Sequence, residues 1–201
     1  MNSCSLFSRG WARVLAWTAL VSAVPIVAQA HPGHPETTSW LSGALHPLSG
    51  WDHALALLAA GLWGAQRGGR ARWALPAVFL AAMAAGVPLA AAFGTLPGLE
   101  SLILASLLVL GLAVAFAVRA PLLVAVALVG GFALAHGASH GLEMASSGRP
   151  WAYAAGFLAS SAVWLAIGTA VGLAAARWRK ESWLRWAGAA VALGGICGFA
   201  A

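Results

Sequence analysis

Charge is scarce in this sequence. Five acidic and eleven basic side chains in 201 residues leave only 8% of the chain charged, against 61% hydrophobic, and the mean hydropathy is +0.85. That balance excludes a soluble globular domain and reads as an all-α polytopic membrane protein embedded in a lipid bilayer. Cysteine is scarcer still, with only Cys4 and Cys197. Cys4 falls in a segment expected to be removed, so a structural disulfide, a Cys-rich metal site and a redox motif are all excluded. No phosphate-binding P-loop occurs, so the chain itself does not use ATP. The formal charge of +6 does not indicate nucleic acid, because the basic residues sit in short clusters between apolar runs, as membrane flanks do.

What is present begins with a targeting signal. Arg9 and Arg13 precede an apolar stretch from Val14 to Val27, followed by the small-x-small triplet Ala28-Gln29-Ala30. This predicts a signal peptide over 1–30, cleaved after Ala30. Cleavage leaves nine basic against five acidic residues, a net +4. Residues 31–39 then form a Pro-rich outer tail carrying His31 and His34. Two readings of that tail stay open, capture of a divalent metal and a merely solvated terminus.

Residues 40–201 form the membrane domain. Its six apolar runs, approximately 40–65, 73–93, 98–118, 121–144, 151–176 and 183–201, each have about the twenty residues needed to cross hydrocarbon. Arg67, Arg70, Arg72, Arg119, Arg177, Arg179, Lys180 and Arg185 flank the first, third and fifth connections, whereas the second and fourth hold only Arg149. This bias predicts six transmembrane helices in the bacterial inner membrane, with both mature termini outside. Trp40, Trp63, Trp73, Trp151, Trp178 and Trp183 fall near predicted helix ends, where amphipathic rings favour the interface. Gly168 and Gly172, and Gly194 and Gly198, have the small-xxx-small spacing of close helix packing.

Two polar clusters interrupt this apolar chain. The first is His46-Pro47-Leu48-Ser49-Gly50-Trp51-Asp52-His53 and the second His136-Gly137-Ala138-Ser139-His140-Gly141-Leu142-Glu143. Ionisable groups at membrane depth are costly and mark function by default. Pro47 removes an amide donor and Gly50 relaxes the backbone, which predicts a helix break there, with Ser49 as cap and Asp52 completing a capping box as one reading of that carboxylate. His136, His140 and Glu143 share one helical face. For His136 alone, a buried ring bonded to a carbonyl is the bland reading. Opposite helix directions put both clusters in the outer half of the membrane, which favours a single site. Imidazoles suit nickel, cobalt, copper or zinc, and Asp52 or Glu143 could balance the ion or orient a ring.

HPLSGWDH in the first run, Gly61-Leu62-Trp63 as a turn toward the first inner loop, AHGASHGLE in the fourth run and the His-containing mature N-terminus together resemble the HupE/UreJ family of nickel and cobalt permeases. The resemblance covers nearly the whole chain. It implies uptake of Ni²⁺ or Co²⁺ as a transported substrate with no prosthetic group, and it carries His46, Asp52, His53, His136, His140 and Glu143 over as site residues. In many relatives a further His stands where this sequence has Ala138.

Other readings remain beside it. A metal-binding accessory or sensor subunit would hold the ion without moving it, and homo-oligomerisation is left open. Gly137-Ala138-Ser139-His140-Gly141 formally matches the G-x-S-x-G of serine hydrolases, but it lies in an apolar helix rather than a strand-turn-helix elbow. No enzyme activity is therefore expected. A faint likeness between the segments before His46 and His136 suggests an inverted repeat of three helices.

Overall fold

The computed structural model describes residues 40–94, 97–146 and 149–200, all within the unit Pro35–Ala201. The expected signal peptide and tail, including His31 and His34, lie outside the described residues. Among the described residues seven helices follow in order: α1 (Trp40–Ser49), α2 (Trp51–Arg67), α3 (Ala71–Phe93), α4 (Leu99–Ala115), α5 (Leu122–Ser146), α6 (Pro150–Arg177) and α7 (Glu181–Ala200). There is no strand among the described residues.

Four helices, α3, α5, α6 and α7, are long and apolar enough to cross a membrane. The other two runs differ from the sequence expectation. The third yields an apolar helix of 17 residues, about 26 Å long. The first is divided at Gly50, whose extended backbone (φ −104°, ψ 91°) separates α1 from α2. The break is where Pro47 and Gly50 predict it. Its cap is Gly50 itself, with no side-chain cap bond, so Asp52 completes no capping box.

α2 lies at the centre and packs against α3, α4, α6 and α7. Its residues Ala56, Leu57, Ala59, Ala60, Leu62 and Trp63 are buried around the whole circumference, as a helix enclosed by others requires. Beyond α2, the widest interfaces pair α3 with α5, α4 with α7, and α1 with α6. Exchanging the first three runs with the last three maps this pairing onto itself, although the contact of α2 with α4 has no comparable counterpart between α5 and α7. The outer surface is studded with exposed Leu123, Trp151, Val163, Ile196 and Phe199, which suits lipid rather than water.

Close approach explains the glycines beside the clusters. At Gly86 and Gly137 a Cβ would strike the Leu134 and Met83 carbonyls respectively, so α3 and α5 meet backbone to backbone. Gly168 approaches the Leu58 carbonyl in the same manner. Gly194 and Gly198 instead face the side chains of Trp51 and Leu104, and the tight contact of α7 with α4 is made by Gly188 and Gly195.

The first, third and fifth connections gather at one end of the bundle, where Gln66, Arg67, Arg119, Glu181 and Arg185 line one cavity. Two of these connections close on non-glycine residues with positive φ, Ala117 and Arg179. The Val118 amide donates to Ala113 and the Lys180 amide to Ala175, so each helix end satisfies carbonyls at a cost of about 1–2 kcal/mol for the left-handed residue. Trp40, Trp73, Trp151, Trp178 and Trp183 are exposed near helix ends as expected. Trp63 is not: it is 1% exposed, within helical α2 rather than a turn, and its Nε1 donates to the Val118 carbonyl at 3.0 Å.

Candidate functional site

The break at Gly50 delivers two segments to one place. His46 sits in the last turn of α1, and Asp52 and His53 in the first turn of α2. A Cβ on Gly50 would stand 3.0 Å from Asp52 Oδ1 and 3.1 Å from His53 Nδ1, so only glycine leaves that pair uncrowded. Facing them, His136 and His140 lie one turn apart on α5, brought near by the close packing of α5 on α3.

The four rings form one cluster, in which His53, His136 and His140 are buried and His46 is half-buried. His46 Nε2 lies 2.9 Å from His140 Nδ1, and His140 Nε2 lies 2.6 Å from His53 Nε2, linking residues 94 and 87 positions apart in the chain. His53 Nδ1 lies 2.8 Å from Asp52 Oδ1, which also accepts the His53 backbone amide. The fourth ring stands edge-on to His53, with centroids 4.8 Å apart. Phe157 and Phe79 wall the cluster, Phe157 against His140 and Phe79 against His136. His136 is 1%, His140 6% and His53 8% exposed.

Proton order follows from the partners. A carboxylate only accepts, so with Asp52 ionised His53 Nδ1 carries the proton and donates. In neutral rings this leaves His53 Nε2 as acceptor, so His140 donates from Nε2 and accepts at Nδ1 from His46. Three imidazoles are thus polarised in one direction, toward Asp52. His136 is oriented separately. Ser106 Oγ donates to the Ile103 carbonyl at 2.6 Å and therefore accepts from His136 Nε2, 3.0 Å away, which leaves the lone pair of that ring on Nδ1.

Of the residues expected from sequence, His46, Asp52, His53, His136 and His140 come together. Glu143 is placed in α5 by its backbone, and its side chain lies outside the described residues. Ser106, fully buried on α4, was missed by the sequence reading. One serine in an apolar helix carries no spacing signal, and only burial beside His136 reveals it. Ser139 donates to the His136 carbonyl within helical α5, and His140 belongs to the imidazole chain, so neither forms a nucleophile and base.

Neutral imidazoles offer one lone pair each, and here those of His53 and His140 face a neighbouring ring. Accordingly, no three His, Cys, Asp or Glu side chains among the described residues converge on a common ion position. The geometry is that of donors closed on one another.

Comparison with known proteins follows the same lines. A family model described as "HupE / UreJ protein" matches residues 19–197. Protein HupE of Rhizobium leguminosarum bv. viciae is 41% identical over 181 residues, covering 89% of this chain and 93% of that protein. No solved structure matches.

Proposed function

The chain belongs to the HupE/UreJ family, and from that premise we propose that it is an inner-membrane permease taking up Ni²⁺, or Co²⁺, through the imidazole cluster. Its six runs span the membrane after removal of residues 1–30, with the mature N-terminus and its His31 and His34 outside. It is not an enzyme, and the metal is its substrate. The observation that supports the reading is that rings from α1, α2 and α5 join in one chain, buried at His140 and His53, that ends on Asp52.

The closed chain opens to admit the ion. Two imidazole nitrogens on one ion at about 2.0–2.1 Å stand about 2.9–3.4 Å apart, between right-angle and tetrahedral ligation. His53 Nε2 and His140 Nε2, at 2.6 Å, must therefore separate, and the proton between them must leave. Gly50 is the joint that lets His46 and His53 move independently. Broken helices lining a cavity are a recurrent transporter device, with helix C-terminal carbonyls, here those of α1, drawn toward the cation. Glu143 lies three residues beyond His140 and adds a second carboxylate for charge balance. Because ligation displaces protons, uptake falls as the medium is acidified.

The test is accumulation of Ni²⁺ and Co²⁺ by cells expressing this chain, beside His53→Ala and His136→Ala at matched membrane levels. Wild type accumulates metal and each variant falls to background. Normal transport by both variants would overturn the site. Binding without flux in purified vesicles would replace the permease with a metal-holding accessory subunit.

A further inference from the structure

At the basic end of the bundle, a cavity of about 110 Å³ is lined by Gln66, Arg67, Arg119, Glu181 and Arg185, together with small and apolar neighbours. It is remote from the imidazole cluster. His53 and Arg67 are fourteen residues apart on α2, or about 21 Å along its axis.

Two of the lining residues carry polar atoms that the described residues do not satisfy. Among the described residues, Arg67 Nε and Nη1 are buried without a hydrogen-bond acceptor, and Gln66 Oε1 without a donor. Leaving such atoms unpaired is costly, most of all on a charged group, so a binding partner is implied. The Arg67 guanidinium is held in position over the Trp63 ring, 5.5 Å from its centroid, and Gln66 is anchored by donating from Nε2 to the Val114 carbonyl at 3.2 Å. Arg185 uses Nε on the Ala115 carbonyl at 2.8 Å, leaving other guanidinium donors of its fork. Three arginines and one carboxylate residue, Glu181, line the cavity, and no ion pair joins them among the described residues.

We infer that this cavity binds a phosphoryl oxyanion bearing a neighbouring hydroxyl. The oxygens accept from Arg67, Arg119 and Arg185, for which guanidinium forks are suited, and the hydroxyl donates to Gln66 Oε1. Both the headgroup of phosphatidylglycerol and hydrogen phosphate carry this pair of groups. A basic pocket among helix ends is also where a membrane protein meets anionic headgroups.

The experiment is thermal unfolding of the full chain, purified in detergent and delipidated, with phosphatidylglycerol, phosphatidylcholine or sodium phosphate added separately. Phosphatidylglycerol raises the midpoint saturably and phosphatidylcholine does not. The double variant Arg119→Gln/Arg185→Gln, altered only at exposed side chains, needs at least about tenfold more ligand for half-saturation. Arg177→Gln, at the same end but outside the cavity, responds as wild type. Stabilisation by phosphatidylglycerol but not by sodium phosphate assigns the lipid headgroup, and stabilisation by both assigns a soluble oxyanion. Lipid surviving purification is read by native mass spectrometry, as a phosphatidylglycerol adduct present on wild type and lost from the double variant. The inference is overturned by the absence of any response or adduct, by a response undiminished in the double variant, or by equal loss in Arg177→Gln.

Discussion

At one end of this bundle three imidazoles are chained together, and at the other, about 21 Å along α2, a guanidinium and an amide are buried without hydrogen-bond partners among the described residues. Both ends bury polar groups in an apolar protein, yet they resolve the cost differently. Imidazole is donor and acceptor at once, so neutral rings can chain together and end on Asp52 without outside help. Guanidinium only donates, so three arginines near one glutamate cannot close among themselves. On the proposed function the closed end takes up metal by breaking internal bonds, whereas the inferred oxyanion completes the open end.

Substitutions should separate the two. The largest effect is expected from His140→Ala, which severs both links of the chain and removes the partner of the buried His53 Nε2, at about 1–3 kcal/mol for that atom. Metal uptake should fall to background while phosphatidylglycerol still raises the unfolding midpoint, since sites this far apart add independently. Loss of the lipid response would mean that the ends are coupled and the contrast between them false. A smaller effect follows from Asp52→Asn, which removes the anionic acceptor that sets the His53 tautomer. Metal affinity, measured by calorimetry, should weaken on the order of 10–100-fold with the fold retained. Unchanged affinity would reduce Asp52 to a local partner of its own backbone. Ser106→Ala is expected to be smallest, about tenfold in affinity, because it deprives only His136 of an orienting acceptor. If affinity does not move, His136 packs rather than binds.

Much of the candidate site is legible in the sequence. HPLSGWDH and AHGASHGLE stand out because charge is otherwise so scarce, and helical spacing places His136 and His140 on one face. Pro47 and Gly50 announced the break between α1 and α2, although the expected cap by Ser49 and Asp52 gave way to Gly50 and an Asp52–His53 pair. Trp63 misled, since a tryptophan near a basic loop reads as interfacial whether or not neighbouring helices cover it. Ser106 and Gln66 were illegible for the opposite reason, as single polar residues without periodicity.

By itself the sequence determined the all-helical membrane class, the basic end and the residues able to ligate a metal. Hydropathy, charge placement and helical period act locally, and local patterns can be read from a linear chain. Tertiary structure alone decided that His46 reaches His140, that His140 reaches His53, that Ser106 orients His136, and that Arg67 Nε and Nη1 find no acceptor among the described residues. Those outcomes depend on contacts of 2.6–3.0 Å between segments up to 94 residues apart, set by where α1, α2, α4 and α5 pack.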